Sequence, residues 1–107
     1  MAREICTRYY EQYPDEHGRY GARGAAWCVY DNQHIVHWAA LDVARYADLG
    51  EQLAWLGRLL HARDFPMDRF VRNLEIASEV VAAREEDTTA LSERLARAAR
   101  EFEPPAG

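Results

Sequence analysis

Cys28, Asp31, His34 and His37 stand at even three-residue intervals. On a helix that spacing strings them along one side over successive turns. The arrangement offers a thiol, a carboxylate and two imidazoles. Imidazole is a good ligand for zinc, copper, iron or nickel, so His34 and His37 are the candidate metal ligands, with Asp31 behind them. A di-iron bundle would need two Glu-x-x-His elements on separate helices, whereas this chain has a single Asp-x-x-His. The competing reading packs one imidazole among aromatics and leaves the other in water.

A catalytic thiolate needs a base within reach and an electropositive setting. Neither Cys6 nor Cys28 has such a partner nearby in sequence, and no other catalytic constellation stands out. No catalytic residue is assigned, and the chain reads as a non-enzyme. An unpaired buried cysteine behaves as a small hydrophobe.

Large aromatics surround the same stretch. Trp27 and Trp38, with Cys28 and Asp31, are the candidate contacts for a flat cofactor such as a tetrapyrrole; otherwise Trp27, Tyr30, Trp38, Trp55 and Phe70 are core. Near the N-terminus, Tyr9, Tyr10 and Tyr13 lie close to Arg8. Tyr and Arg are enriched at protein interfaces, so these four residues are the candidate partner-binding set. Docking on their own bundle is the alternative.

Helices must position all of these groups. Residues 1–13 are helix-compatible, and Pro14 ends them. The stretch 14–24 holds Pro14, Gly18, Gly21 and Gly24 and reads as a connector. A second helix over 24–41 carries Trp27, Tyr30, His34, His37 or Trp38 and Leu41 as one stripe, with Cys28, Ile35 and Ala39 on its flank. Only Asp31, Asn32 and Gln33 look ready for solvent. A helix apolar around most of its girth is expected to be surrounded by others. A third begins near Asp48 and repeats Leu49, Leu53, Leu56 and Leu60. After the turn at 62–66, Pro66 opens a fourth with Met67, Phe70, Val71, Leu74, Ala77 and Val81 inward. The run Arg84-Glu85-Glu86-Asp87 interrupts that pattern. Thr88 or Asp87 caps a fifth with Leu91, Leu95, Ala98 and Phe102 inward, and Pro104 and Pro105 stop it. The fifth helix reads as a cap on its own bundle, with a short coiled-coil pairing as the other option.

The expected fold is therefore all-α: one domain over residues 1–107, a compact bundle of about five helices, mostly antiparallel neighbours, with a frayed tail from about 103. Every basic residue is Arg, which with the abundant Ala suggests a GC-rich bacterial genome. The net charge of −5 argues against a nucleic-acid partner. The N-terminus is charged and lacks the apolar core of a leader, and no run is long enough for a membrane span. The expected compartment is the cytoplasm, where both thiols would stay reduced.

The stretch from Trp27 to about Val81 resembles helical sensory and regulatory domains with a globin-like or phycobiliprotein-like outline. The likeness rests on Cys28-Val29-Tyr30-Asp31 on an apolar helix, a second long helix, the turn Arg63-Asp64-Phe65-Pro66, and a further helix with Asn73-Leu74 in its middle. Similar helical segments precede cobalamin-binding modules in bacterial regulators. The resemblance implies that Cys28 carries a bilin and that Asp31 contacts its pyrrole nitrogens. The functional expectation is a non-enzymatic binding or regulatory module (a sensor, adaptor or inhibitor) acting on another protein or on a second copy of itself. The alternative is a tetrapyrrole or transition-metal binder using the central helix.

Overall fold

A computed structural model describes residues 1–84 and 88–105. Five helices account for most of them: α1 (Ala2–Gln12), α2 (Glu16–Val43), α3 (Leu49–Ala62), α4 (Met67–Ala82) and α5 (Thr89–Glu101). There is no strand among the described residues, and the all-α expectation holds. The molecule measures 37 × 32 × 19 Å. Its thinnest dimension is about two helix diameters, each about 10 Å, so the bundle is two layers deep.

The links are short, and each helix packs on the next: α1 on α2, α2 on α3, α3 on α4 and α4 on α5. Helix α4 also meets α1, and α5 meets α2 and α3. Helix α4 is the most deeply buried element. Phe70, Leu74, Ile76, Ala77, Val80 and Val81 all point inward, and Ile5, Ile35, Leu53 and Leu95 meet them from the other helices. Fully burying one such aliphatic side chain contributes about 1.5–3 kcal/mol. The leucine pattern of α3 is confirmed: Leu49, Leu53 and Leu56 are buried, and Leu60 packs on the core. Leu95 and Ala99 anchor α5, with Leu91, Ala98 and Phe102 beside them.

The helix ends follow local chemistry. The Asp48 carboxylate accepts the Glu51 N–H and caps α3. The Asp42 carboxylate accepts the Leu49 N–H at 2.7 Å and pairs with Arg94, which ties the α2–α3 link to α5. Thr88 stands at the N-cap of α5 and donates its hydroxyl to the Val81 carbonyl. Glu85, Glu86 and Asp87 lie outside the described residues.

Two expectations fail here. The segment 14–24 is not a connector, because α2 already starts at Glu16 and continues through the glycines across a kink at Gly21. Gly21 takes φ 62°, ψ −156°, a conformation that side-chain-bearing residues rarely adopt. The bend brings Tyr20 back onto Gly24, where a Cβ would lie 2.2 Å from the Tyr20 Cβ. The two glycines thus permit the kink rather than end the helix.

The second failure concerns α2 itself. It is not surrounded. Its buried positions are Glu16, Asn32, Ile35 and Ala39, whereas Trp27 is 41% and Tyr30 62% exposed. Ile35 and Ala39 join the core and Trp38 packs at its edge, whereas Trp27 and Tyr30 turn outward.

Candidate functional site

Two features compete for function: a half-open cavity and an external aromatic face. They share helix α2.

The cavity, of about 320 Å³, lies where α1, the kinked start of α2, the α3–α4 turn and α4 meet. Tyr9, Tyr10, Tyr20, Trp27, Phe65 and Phe70 supply most of its lining, and Glu16, Asp31, Asn32, Asn73, Arg23 and Arg63 add the polar groups. Its base is covalently tied. Cys6 and Cys28 form a disulfide, with their Cα atoms 6.1 Å apart, inside the usual bridging range of about 4.4–6.8 Å. This corrects the expectation of two reduced thiols. Helix α1 lies along α2 and brings the two cysteines together across the helix–helix contact, a proximity no local pattern reveals. A bonded Cys28 is also not free to carry a bilin.

Beside the disulfide sits Asn32, expected to face solvent but in fact 2% exposed. Its Nδ2 donates to Asn73 Oδ1 at 3.1 Å and to the Cys28 carbonyl at 3.0 Å, and Asn73 Nδ2 donates back to Asn32 Oδ1 at 2.8 Å. A reciprocal amide pair satisfies both side chains and so permits burial. Replacing Asn32 alone with Ala strands the Asn73 amide and should cost about 1–3 kcal/mol. Replacing both with Leu should cost clearly less than the sum of the two single changes. Urea unfolding of the single and double variants checks this, and additive losses would contradict a coupled pair.

Glu16 is 1% exposed at the first turn of α2. Its Oε1 accepts from Arg69 at 2.6 Å and from the Tyr9 hydroxyl at 3.1 Å. Arg69 also bonds Asp15 at 2.9 Å and lies over the Tyr13 ring, 4.4 Å from its centre. The Arg69 hydrogen bond holds the Asp15 carboxyl below its ordinary range. Burial, then the Glu16 charge and hydrogen bond, push the Tyr9 hydroxyl far above a free tyrosine. The unfolded chain therefore loses this proton near pH ~10 while the folded chain keeps it. Stability is fully present below that pH and falls as pH rises beyond it. Urea unfolding on the alkaline side should show the decline, and Tyr9→Phe should flatten it; an unchanged slope would contradict this account of Tyr9.

These contacts place the N-terminal tyrosines on their own bundle. Tyr9 is buried in its own bundle, Tyr10 stacks on His17 with ring centres 4.5 Å apart, and Tyr13 lies beneath Arg69. Tyr9 is thus corrected from a partner contact to a core residue. Arg8 is exposed.

The line Cys28, Asp31, His34, His37 is divided. Cys28 and Asp31 line the cavity. Asp31 is half-buried, and burial raises its carboxyl above the ordinary value, against the pull of Arg63 and His34. Arg63 lies over the Trp27 ring at 4.0 Å. His34 sits instead between Tyr30 and Trp38, and His37 is exposed. Among the described residues, no three His, Cys, Asp or Glu side chains gather as a metal site. The proposed metal pair therefore lacks the further ligands such a site needs.

The outer face begins at His34. Tyr30 meets His34 with centres 4.5 Å apart, His34 meets Trp38 at 5.6 Å, and Trp38 meets Trp55 of α3 at 6.4 Å. Leu59 lies one turn beyond Trp55. Trp55 is 49% and Leu59 38% exposed. Of the four candidate cofactor contacts, Trp27, Cys28 and Asp31 share the cavity, while Trp38 belongs to this ladder.

Sequence reasoning missed Glu16, Arg69 and the asparagine pair. A signal for Glu16 was present, since Pro14 followed by two acids is a common way to begin a helix. No described helix is long and apolar enough to cross a membrane. The chain matches no family model, and no curated protein or solved structure is significantly similar to it.

Proposed function

We propose that this chain is a non-enzymatic helical module that works by protein–protein contact through the α2–α3 aromatic face, with a second copy as its occupant. The observation that carries the reading is the continuous ladder Tyr30, His34, Trp38, Trp55, extended by Leu59. Clustered exposed aromatics on a soluble protein commonly mark a contact site. Tyr and Trp are also the residues that dominate contact energies.

Charge limits where a second copy can dock. Each chain carries −5, so most of its surface repels its twin. The ladder itself contains no carboxylate, and the nearest acid along α3, Glu51, stands one turn before Trp55 at its edge. Two helices facing two helices give a four-helix packing about a two-fold axis, a common arrangement. A small contact module of this kind suits an adaptor or inhibitor.

Light scattering across a range of concentrations tests the reading. The wild-type chain should approach twice its 12.3 kDa monomer mass. Trp55→Glu places a charge in the ladder at an exposed position and should leave a folded monomer. A wild type that stays monomeric throughout, or a Trp55→Glu dimer, overturns the proposal.

A further inference from the structure

The cavity between α1, α2, α4 and the α3–α4 turn is separate from the ladder, and its chemistry differs. Its acids are not equivalent. Glu16 is neutralised by Arg69 at 2.6 Å. Asp31 has no ion pair within 4 Å among the described residues and no hydrogen bond from them. It is nonetheless half-buried against rings.

Arg23 and Arg63 also line the cavity, and Arg63 pulls on Asp31 from a distance, but neither forms an ion pair with it: Arg63 lies over the face of Trp27, and Arg23 is exposed. Keeping a carboxylate half-buried without a partner is costly, and a ligand that brings a positive charge removes the cost. Ring faces attract cations as well, since their quadrupole places negative charge above the plane. Arg63 over Trp27 already displays that attraction here.

We propose that this cavity is a binding site for a small organic cation, a protonated amine carried on a flat ring, with Asp31 as counter-charge. The ring packs among Tyr20, Trp27 and Phe65, and the ammonium group meets Asp31. A volume of about 320 Å³ is at the low end for small-molecule pockets, about 300–1,000 Å³. It suits one or two rings rather than the four of a tetrapyrrole. Burial raises the Asp31 carboxyl against the opposing pull of Arg63 and His34, which agrees with a charge that the fold compensates only in part.

Calorimetric titration of the oxidised protein with three probes of one shape tests this: phenethylamine (a cation), 3-phenylpropionate (an anion) and ethylbenzene (neutral). Phenethylamine should bind at least about tenfold more tightly than the other two, a difference of about 1.4 kcal/mol. Asp31→Asn keeps the shape, removes the charge and should abolish that preference, while circular dichroism shows an unchanged helical fold. Tyr20→Ala, which leaves Asp31 in place, should weaken all three probes together. Tighter binding of the anion overturns the proposal. So does an undiminished preference for the amine in Asp31→Asn, or no detectable binding of phenethylamine.

Discussion

Reducing the Cys6–Cys28 disulfide should lower the unfolding free energy by about 3 kcal/mol. The bridge closes a loop of 22 residues, and removing that constraint restores about 3 kcal/mol of chain entropy to the unfolded state. For a domain of this size that corresponds to a fall in Tm of roughly 12–24 °C. The effect should be largest at α1. That helix has only 11 residues and would be marginal in isolation. Besides the bridge, Ile5 and Tyr9 hold it to the core. Hydrogen exchange in reductant should therefore show α1 losing protection before α4. Thermal unfolding with and without reductant is the measurement, with Cys6→Ser/Cys28→Ser as a control. Equal melting temperatures, or two free thiols in the native protein without reductant, would contradict the pairing.

Arg69→Met should be nearly as damaging as removing any large core side chain. It leaves Glu16, whose side chain is 2% exposed, without its cation. Breaking a buried pair from one side costs about 3–5 kcal/mol, because the remaining charge is desolvated and uncompensated. Two further losses accompany it: the Asp15 hydrogen bond and the guanidinium over Tyr13. The double change Glu16→Gln/Arg69→Met should recover much of the loss, since the stranded charge is gone. Urea unfolding of the single and double variants measures this. A double variant as unstable as Arg69→Met would show that lost packing by Arg69, rather than the stranded carboxylate, sets the cost.

The helices with one clear apolar stripe were legible in the sequence. Leu49, Leu53 and Leu56, and Phe70, Leu74, Ala77 and Val81, recur at helical spacing and are buried where the spacing puts them. On helix α2 the expected stripe, Trp27, Tyr30, His34 and Trp38, is not the buried side. Apolar residues go most of the way round it, so periodicity could not choose its inner face. Packing chose the side carrying Asn32, Ile35 and Ala39. That choice turned the Trp and Tyr residues from an expected core into a surface. The other misreadings concern pairs distant in sequence: Cys6 with Cys28, Asn32 with Asn73, and Glu16 with Arg69. Each becomes visible only when two helices are side by side. The kink shows the same limit, since Gly21 and Gly24 read as breakers but serve as the means of bending a continuing helix.

The α2–α3 face is tested most directly by isotope-filtered nuclear Overhauser spectroscopy on a mixture of labelled and unlabelled chains. The rings of Tyr30, Trp38 and Trp55 should give cross-peaks between molecules, and those peaks should vanish in Trp55→Glu. Intermolecular peaks confined to α5 or α1, or none at protein concentrations that saturate the expected dimer, would contradict the assignment of this face as the contact surface.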